Sequence, residues 1–422
     1  MSGMNDLNQE ASAHITGHDV VIIGGGAGGI AVAASLHRRE PALDIAIVEP
    51  ATEHFYQPGW TLVGGGVFTP EQTRRTMASV MPSFVTWHRC AATALLPDQH
   101  QVELDSGATL RYRALVVAPG LTLDWSAIEG LDAALGHHGV TSNYRADLAP
   151  YTWSLTQSMT RGRALFTQPP MPIKCAGAPQ KAMYLSCAEW ERKGVLGDID
   201  VNFHNAGGAL FGVAAFVPAL ERYIRRYGIQ CRFQQTLIAV DGPARLARFQ
   251  VTSEAGNDVA EVPFDMLHVV PPQRAPELVR TSVLANDAGW LDLTPETLQH
   301  TRFEDVFGLG DASGTSNAKT AAAVRKQAPV VADNLVAQLK GDPLPSCYRG
   351  YGACPLTVER GRVVLAEFGY GGELQPTFPD WVNQARQATR LGWHIKARQL
   401  PFIYWNLMLK GHEWLAGPDR RA

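Results

Sequence analysis

Asp19 to Ile23, an acid followed by a short unbroken apolar run closed by glycine, has the pattern of a buried strand. Gly24, Gly26 and Gly29 follow in G-x-G-x-x-G spacing, with Ala27 and Gly28 between them, and Ile30 to Leu36 then reads as a helix. Strand, glycine turn and helix in that order predict a βα unit whose backbone approaches a pyrophosphate at the helix N-terminus. A second strand, Ile45 to Glu49, ends in an acid twenty residues beyond Gly29, where a carboxylate suits a ribose hydroxyl. The glycine hexamer alone is a weak signal; the register of all these features is what predicts a dinucleotide-binding domain.

Similar runs recur. Arg113 to Gly120 resembles the strand and turn that leave such a domain. Val306 to Asp311 is another short apolar strand, ending in Gly-Asp, and Lys319 to Gln327 reads as a helix behind it. In flavoproteins with two dinucleotide units, a strand of this kind returns to the first domain. Between them, Asp200 to His204 starts like a second unit, with a turn over Asn205 to Gly212 and a helix to about Arg226. There the pattern breaks. No G-x-G-x-x-G aligns in that turn, and the next strand, Ile229 to Phe233, carries no acid at its end. The fold survives that loss, whereas a tight NAD site does not; a divergent NAD site is the alternative. The predicted class is α/β, with two Rossmann-like dinucleotide-binding domains, the first split in sequence by the second.

Beyond Pro345 glycine, proline and aromatic residues crowd the chain. Trp381, Ala385, Ala388, Leu391 and Ile395 fall at helical spacing, with Arg386, Arg390, Lys396 and Arg398 off that stripe. A basic amphipathic helix of this type suits an anionic bilayer surface; a helix docked on its own domain is the alternative. Pro401 to Leu409 is aromatic and apolar, favours a membrane interface, and is shorter than the ~20 residues a span needs. The expected division is a tail over 1–17, the first domain over 18–125 and 295–345, the inserted domain over 126–294, and a C-terminal interface region over 346–422.

A net charge of −3 over 422 residues argues against nucleic acid as a partner. Six cysteines are too few for a disulfide scaffold. The first 17 residues hold Asp6 and Glu10 and no apolar run, so no leader is expected. The expected location is peripheral, on the cytoplasmic face of a membrane. No metal site is expected.

The candidate chemistry lies in two cysteine frames, Pro-Ile-Lys-Cys-Ala-Gly-Ala-Pro-Gln-Lys around Cys175 and Tyr-Gly-Ala-Cys-Pro-Leu around Cys354. Pro169, Pro170 and Pro172 put Cys175 on a bent loop, and Lys174 and Lys181 favour its thiolate. Cys187 and Cys231 sit inside a helix and a strand pattern and read as packing, as does Cys90. Cys347 lacks a comparable frame. Together with Phe55 to Gly65, Leu267 to Pro272, Thr297 to His300, Lys319 to Ala323 and Pro401 to Gly411, these frames resemble the sulfide:quinone oxidoreductases, in the branch that includes the mitochondrial enzyme. The similarity runs from about His18 to Gly411.

The resemblance implies FAD as cofactor. It is expected to touch Gly24, Gly26, Ala27, Gly28, Gly29, Glu49, Gln57, Ala92 (through its backbone), Asp311, Lys319, Thr320, Ala321 and Ala322. Some branches of the family attach the flavin through a third cysteine; none occurs between Ala91 and Lys174, so the FAD is expected to be non-covalent. Cys175 and Cys354 match the redox pair. Hydrosulfide would attack the bridge at Cys354, leaving a persulfide there and a thiolate at Cys175, which acts on the flavin. Two electrons pass through FAD to a membrane quinone, and an acceptor, a thiol such as glutathione or sulfite, removes the sulfane sulfur. The competing readings are an NADH:quinone dehydrogenase, a sulfide dehydrogenase with a cytochrome partner, and a non-enzymatic redox-sensing flavoprotein.

Overall fold

A computed structural model describes residues 15–254, 256–379 and 387–421. The first apolar run lies in β1 (Ile15–Ile23) and feeds α1 (Ala27–Arg39) across the glycine turn. β1 is flanked in parallel by β2 (Ile45–Val48), which carries β3 (Thr86–His88), and by β4 (Thr109–Val117). Val20 to Ile23, Ile45 to Val48 and Ala114 to Val117 are buried on both faces of the sheet, which is why they read as unbroken apolar runs.

The inserted sheet departs from the expectation. Beyond a short edge strand at Val140–Thr141, its repeating unit starts with β5 (Gly162–Gln168), followed by α2 (Ala178–Lys193), β6 (Ile199–Asn205), α3 (Val217–Tyr227), β7 (Gln230–Phe233) and β8 (Met266–His268). The parallel order is β8-β5-β6-β7, so Asp200 to His204 belong to the second strand of the unit. Arg163 and Thr167 interrupt the apolar pattern of β5. Arg163 pairs with Asp200, and the Thr167 hydroxyl accepts from Val270 N–H, so both polar groups are satisfied within the fold. The crossover turn where a nucleotide pyrophosphate would sit is therefore Pro169 to Gly177. The position at the end of the second strand, where a ribose acid would stand, is Asn205.

The chain then returns to the first sheet. β9 (Val306–Gly308) pairs in parallel with β4, and α4 (Ala321–Lys340) packs on α1 through Ile30, Ala33, Val324, Ala328 and Val331. The helix expected from Lys319 starts later because Thr320 caps it, its hydroxyl accepting from Ala323 N–H at 3.1 Å.

The C-terminal region builds a three-stranded antiparallel sheet of β10 (Gly352–Glu359), β11 (Arg362–Phe368) and β12 (Ala388–Thr389). Trp381, Ala385 and Arg386 of the expected helix lie outside the described residues. Ala388 is in β12, so no single helix runs through the stripe. After β12 comes α5 (Arg390–His394), capped by Thr389, which passes through a π-helical turn over Ile395–Gln399 into α6 (Leu400–Asn406). Tyr404, Trp405, Met408 and Leu409 bury themselves in the core around α1 and α4. Arg39 of α1 holds this segment down, donating to Asp333 and to Glu413. The segment is thus docked on its own domain, leaving Leu391 and Phe402 exposed at 43% and 59%. No helix among the described residues is long and apolar enough to cross a membrane.

Candidate active site

The glycine turn is a cradle that a side chain would fill. Gly24 has φ +96°, and a Cβ there would lie 2.6 Å from Ala118 O. A Cβ on Gly29 would strike Gly24 O at 1.8 Å, so Gly29 backs the turn and does not line the cleft. Gly26 faces nothing within 4 Å and, with Gly24, Ala27 and Gly28, opens onto one continuous cleft. The first N–H groups of α1 have no helical partners and point to where phosphate would sit. Glu49 is fixed at the cleft by two donors, Gly25 N–H and Ala51 N–H, each at 2.7 Å.

Gln57, Asp311, Lys319, Thr320, Ala321 and Ala322 also line this cleft. Gln57 Oε1 accepts from Lys174 Nζ at 2.7 Å. Lys319 is buried, donates to Asp311 O at 2.9 Å and Ser313 O at 2.6 Å, and lies over the Trp290 ring. Burial pulls its ammonium down to about 8, against the opposing Asp311 charge. Burial likewise pushes the Asp311 carboxyl up, while Lys174 and Lys319 hold it back. The N-terminus of α4 adds a partial positive charge at this end of the cleft. Ala92 is the exception among the expected contacts. It lies on the strand Ala92–Leu96 at the sheet edge, packs against the apolar cluster around β4, and is not part of the cleft wall.

Cys175 occupies the loop between β5 and α2 in a left-handed conformation, φ +46°. Its N–H donates to Lys319 O at 2.9 Å, and its carbonyl accepts from Ala178 N–H and from the Tyr144 hydroxyl. The cysteine loop is thereby tied to the segment that starts α4. Lys181, in the first turns of α2, points back with Nζ 3.1 Å from Cys175 Sγ. Cys354 lies in β10, 1% exposed, against Gly177. Interaction with the Cys354 thiol, with the Lys181 ammonium and Lys396 adding to it, drives the Cys175 thiol well below its usual range in spite of burial. The same interaction and burial push the Cys354 thiol well up.

Lys396, expected on a membrane-facing basic stripe, is 2% exposed and donates to Pro58 O at 2.8 Å beside the cysteines. The π-helical turn shifts the register between α5 and α6 and carries this residue inward. Burial and Lys181 pull its ammonium down to about 7, opposed by Cys175 and Cys354. Its place in the site was invisible to a reading that assumed one continuous helix.

Strand alternation separates two chemistries. Ala353, Pro355, Leu365 and Glu367 pair across β10 and β11 and line the cleft. Cys354, Leu356, Val364 and Ala366 point to the opposite face, into the cluster built on α2. Cys187 is buried in that cluster with its thiol pushed up by burial, and Cys347 Sγ sits beside Arg420 O. Neither lines the cleft, nor do Cys90 and Cys231. Among the described residues no cluster of His, Cys, Asp and Glu could hold a metal ion.

The pyridine nucleotide-disulphide oxidoreductase family model matches residues 18–151. The mitochondrial sulfide:quinone oxidoreductase of Mus musculus is 39% identical over 395 residues, covering 94% of this chain and 87% of that protein. The chain belongs to the sulfide:quinone oxidoreductase family. The mitochondrial sulfide:quinone oxidoreductase of Dictyostelium discoideum is 37% identical, covering 93% of this chain and 86% of that protein. The solved structure of the Aquifex aeolicus sulfide:quinone oxidoreductase superposes with a TM-score of 0.76 at 19% identity, over 95% of this chain and 92% of that one, and shares the fold. Sulfide:quinone oxidoreductases are FAD-dependent enzymes, and the glycine cradle, the pinned Glu49 and the two helix N-termini on one cleft fit that cofactor.

Proposed function

We infer that the protein oxidises hydrosulfide at Cys175 and Cys354 and delivers the two electrons to quinone. The observation that carries this reading is Cys175 at the wall of the FAD cleft, with Lys181 Nζ 3.1 Å from its Sγ, its thiol driven down in pKa and that of buried Cys354 driven up. When bound, FAD accepts the electron pair from sulfur and passes it on. Gly24, Gly26, Ala27 and Gly28 would hold its pyrophosphate, Glu49 a ribose, and Gln57, Asp311, Lys319 and Thr320 to Ala322 the remainder, with Gly29 supporting the turn from behind.

In the oxidised enzyme the cysteines form a bridge. Hydrosulfide attacks Cys354 Sγ, the bond to Cys175 breaks, and Cys354 becomes a persulfide. Cys175 leaves as a thiolate, which Lys181 and Lys396 stabilise without a proton transfer. The low thiol pKa of Cys175 makes it the better leaving group, so attack is directed to Cys354. A nucleophilic acceptor, a thiol such as glutathione or sulfite, then takes the outer sulfur from Cys354. Cys354 lies on the face of β10 opposite the apolar wall, while Cys175 lines the cleft, which supports sulfur arriving at Cys354 from a different side than quinone.

The reading includes a peripheral seat on an anionic bilayer, through exposed Leu391 and Phe402 with Arg390, Arg398 and Lys410 around them, on the cytoplasmic face, where a thiol acceptor is kept reduced. The domain limits set out from the sequence are part of the same reading. The test is steady-state quinone reduction driven by sulfide. Cys175→Ser and Cys354→Ser each lose it, by roughly 10³-fold or more, as expected when both sulfurs of an exchanging pair are required. Cys187→Ser and Cys347→Ser keep it. A Cys175→Ser enzyme that cycles at the parent rate refutes the assignment.

A further inference from the structure

We propose that Glu367 supplies a proton to the quinone reduced in the cleft, an inference that rests on the function proposed above. Glu367 stands opposite Ala353 on the cleft-lining face of β10 and β11, and is 4% exposed. The Tyr351 hydroxyl donates to its Oε1 at 2.6 Å and Thr377 N–H to its Oε2 at 3.2 Å. The Tyr351 and Thr377 hydroxyls are themselves 3.0 Å apart. The surrounding wall is apolar, with Leu365, Phe378 and Ile403. A carboxyl withdrawn from water into such a wall is costly unless it has work that needs it there.

The cations facing it come from α4. Arg325 is committed to Trp414 O, and Lys326 lies over the Tyr351 ring at 5.7 Å. Neither forms an ion pair with Glu367 among the described residues, so the carboxyl is held by two neutral donors, the Tyr351 hydroxyl and the Thr377 N–H. A structural counter-ion would be paired.

Quinone becomes quinol by taking two electrons and two protons. The electrons come from sulfide through the reduced cofactor, and one proton accompanies them. The second leaves the Glu367 carboxyl: its O–H bond breaks and one to a quinone oxygen forms. The carboxylate regains a proton from water at the cleft mouth, where Trp414 and Leu415 are exposed. Tyr351 is a positioning residue that orients the carboxyl.

The test compares two oxidants on enzyme first reduced anaerobically by sulfide: a short-chain benzoquinone, which needs protons, and ferricyanide, which does not. Glu367→Gln is expected to bind FAD and be bleached by sulfide at the parent rate, to slow reoxidation by the quinone roughly tenfold or more, and to leave ferricyanide unaffected. Equal rates for both oxidants in variant and parent overturn the proposal, as does an equal slowing of both. If Glu367→Gln loses FAD, Tyr351→Phe decides: a severalfold fall in the quinone-to-ferricyanide ratio supports the proposal and an unchanged ratio overturns it. Failure of the parent enzyme itself to bleach with sulfide would refute the proposed function, a separate outcome.

Discussion

A buried lysine ammonium lies 3.1 Å from the half-buried Cys175 Sγ and favours its thiolate. Cys175 carries two opposing influences: burial raises its thiol pKa, and Cys354, Lys181 and Lys396 lower it. Lys181→Met removes a lowering influence and leaves burial in place, so the pKa of Cys175 rises. Thiolate is then lost at higher pH than in the parent. The acidic limb of the pH profile for sulfide-dependent flavin reduction should move up by about one unit or more, a loss of roughly tenfold on that limb, with the alkaline side much less affected. An unshifted limb would mean that Lys181 does not act on the reacting sulfur. Both cysteine frames, Lys181 and most of the residues that line the cleft were legible at this scale because their frames are local in sequence. Lys396 and Glu367 were not, since each enters the site through a turn or strand pairing that no short motif records.

At the scale of elements, the loop between β5 and α2 carries most of the functional logic. In a dinucleotide unit that crossover needs glycine, so that backbone can approach pyrophosphate. Here it holds Pro169, Pro170, Pro172 and Cys175, and its N–H at Cys175 is spent on Lys319 O. The end of β6 offers Asn205, its amide engaged with Ala209 O and Gly207 N–H, where an acid would hold ribose. In sequence the missing glycines read one strand too late, because Arg163 and Thr167 interrupt the apolar pattern of β5; in the fold the turn that lacks them is Pro169 to Gly177. NADH and NADPH should therefore fail to bleach the flavin at micromolar concentration; rapid bleaching would show that the loop still admits a nucleotide. The strand and helix of the first domain were legible because burial on both faces leaves an unbroken apolar run. The C-terminal stripe misled because helical spacing continues across β12 by coincidence.

Across the whole molecule, the C-terminal segment both completes the core and presents an outer apolar face. Tyr404, Trp405, Met408 and Leu409 are packed against α1 and α4, and Arg39 to Glu413 clamps the end, so removing the segment would damage the fold along with any membrane contact. Surface substitutions separate the two roles. Leu391→Glu with Phe402→Glu changes side chains that are exposed and do not line the cleft. This double variant should lose binding to vesicles containing anionic lipid by about fivefold or more, through lost apolar insertion and added negative charge, and should keep its FAD and its turnover with a short-chain quinone. Unchanged vesicle binding would place the membrane contact elsewhere.

Electrons should run from sulfide, through Cys175 and Cys354, to FAD and on to quinone. Anaerobic titration of the purified yellow protein, read by its flavin absorbance, tests it most directly. With NADH added first, the spectrum should hold; hydrosulfide should then bleach the flavin at about one equivalent per site, and quinone should restore the oxidised spectrum within one mixing. A flavin that sulfide leaves oxidised, or that quinone cannot restore, would contradict the account.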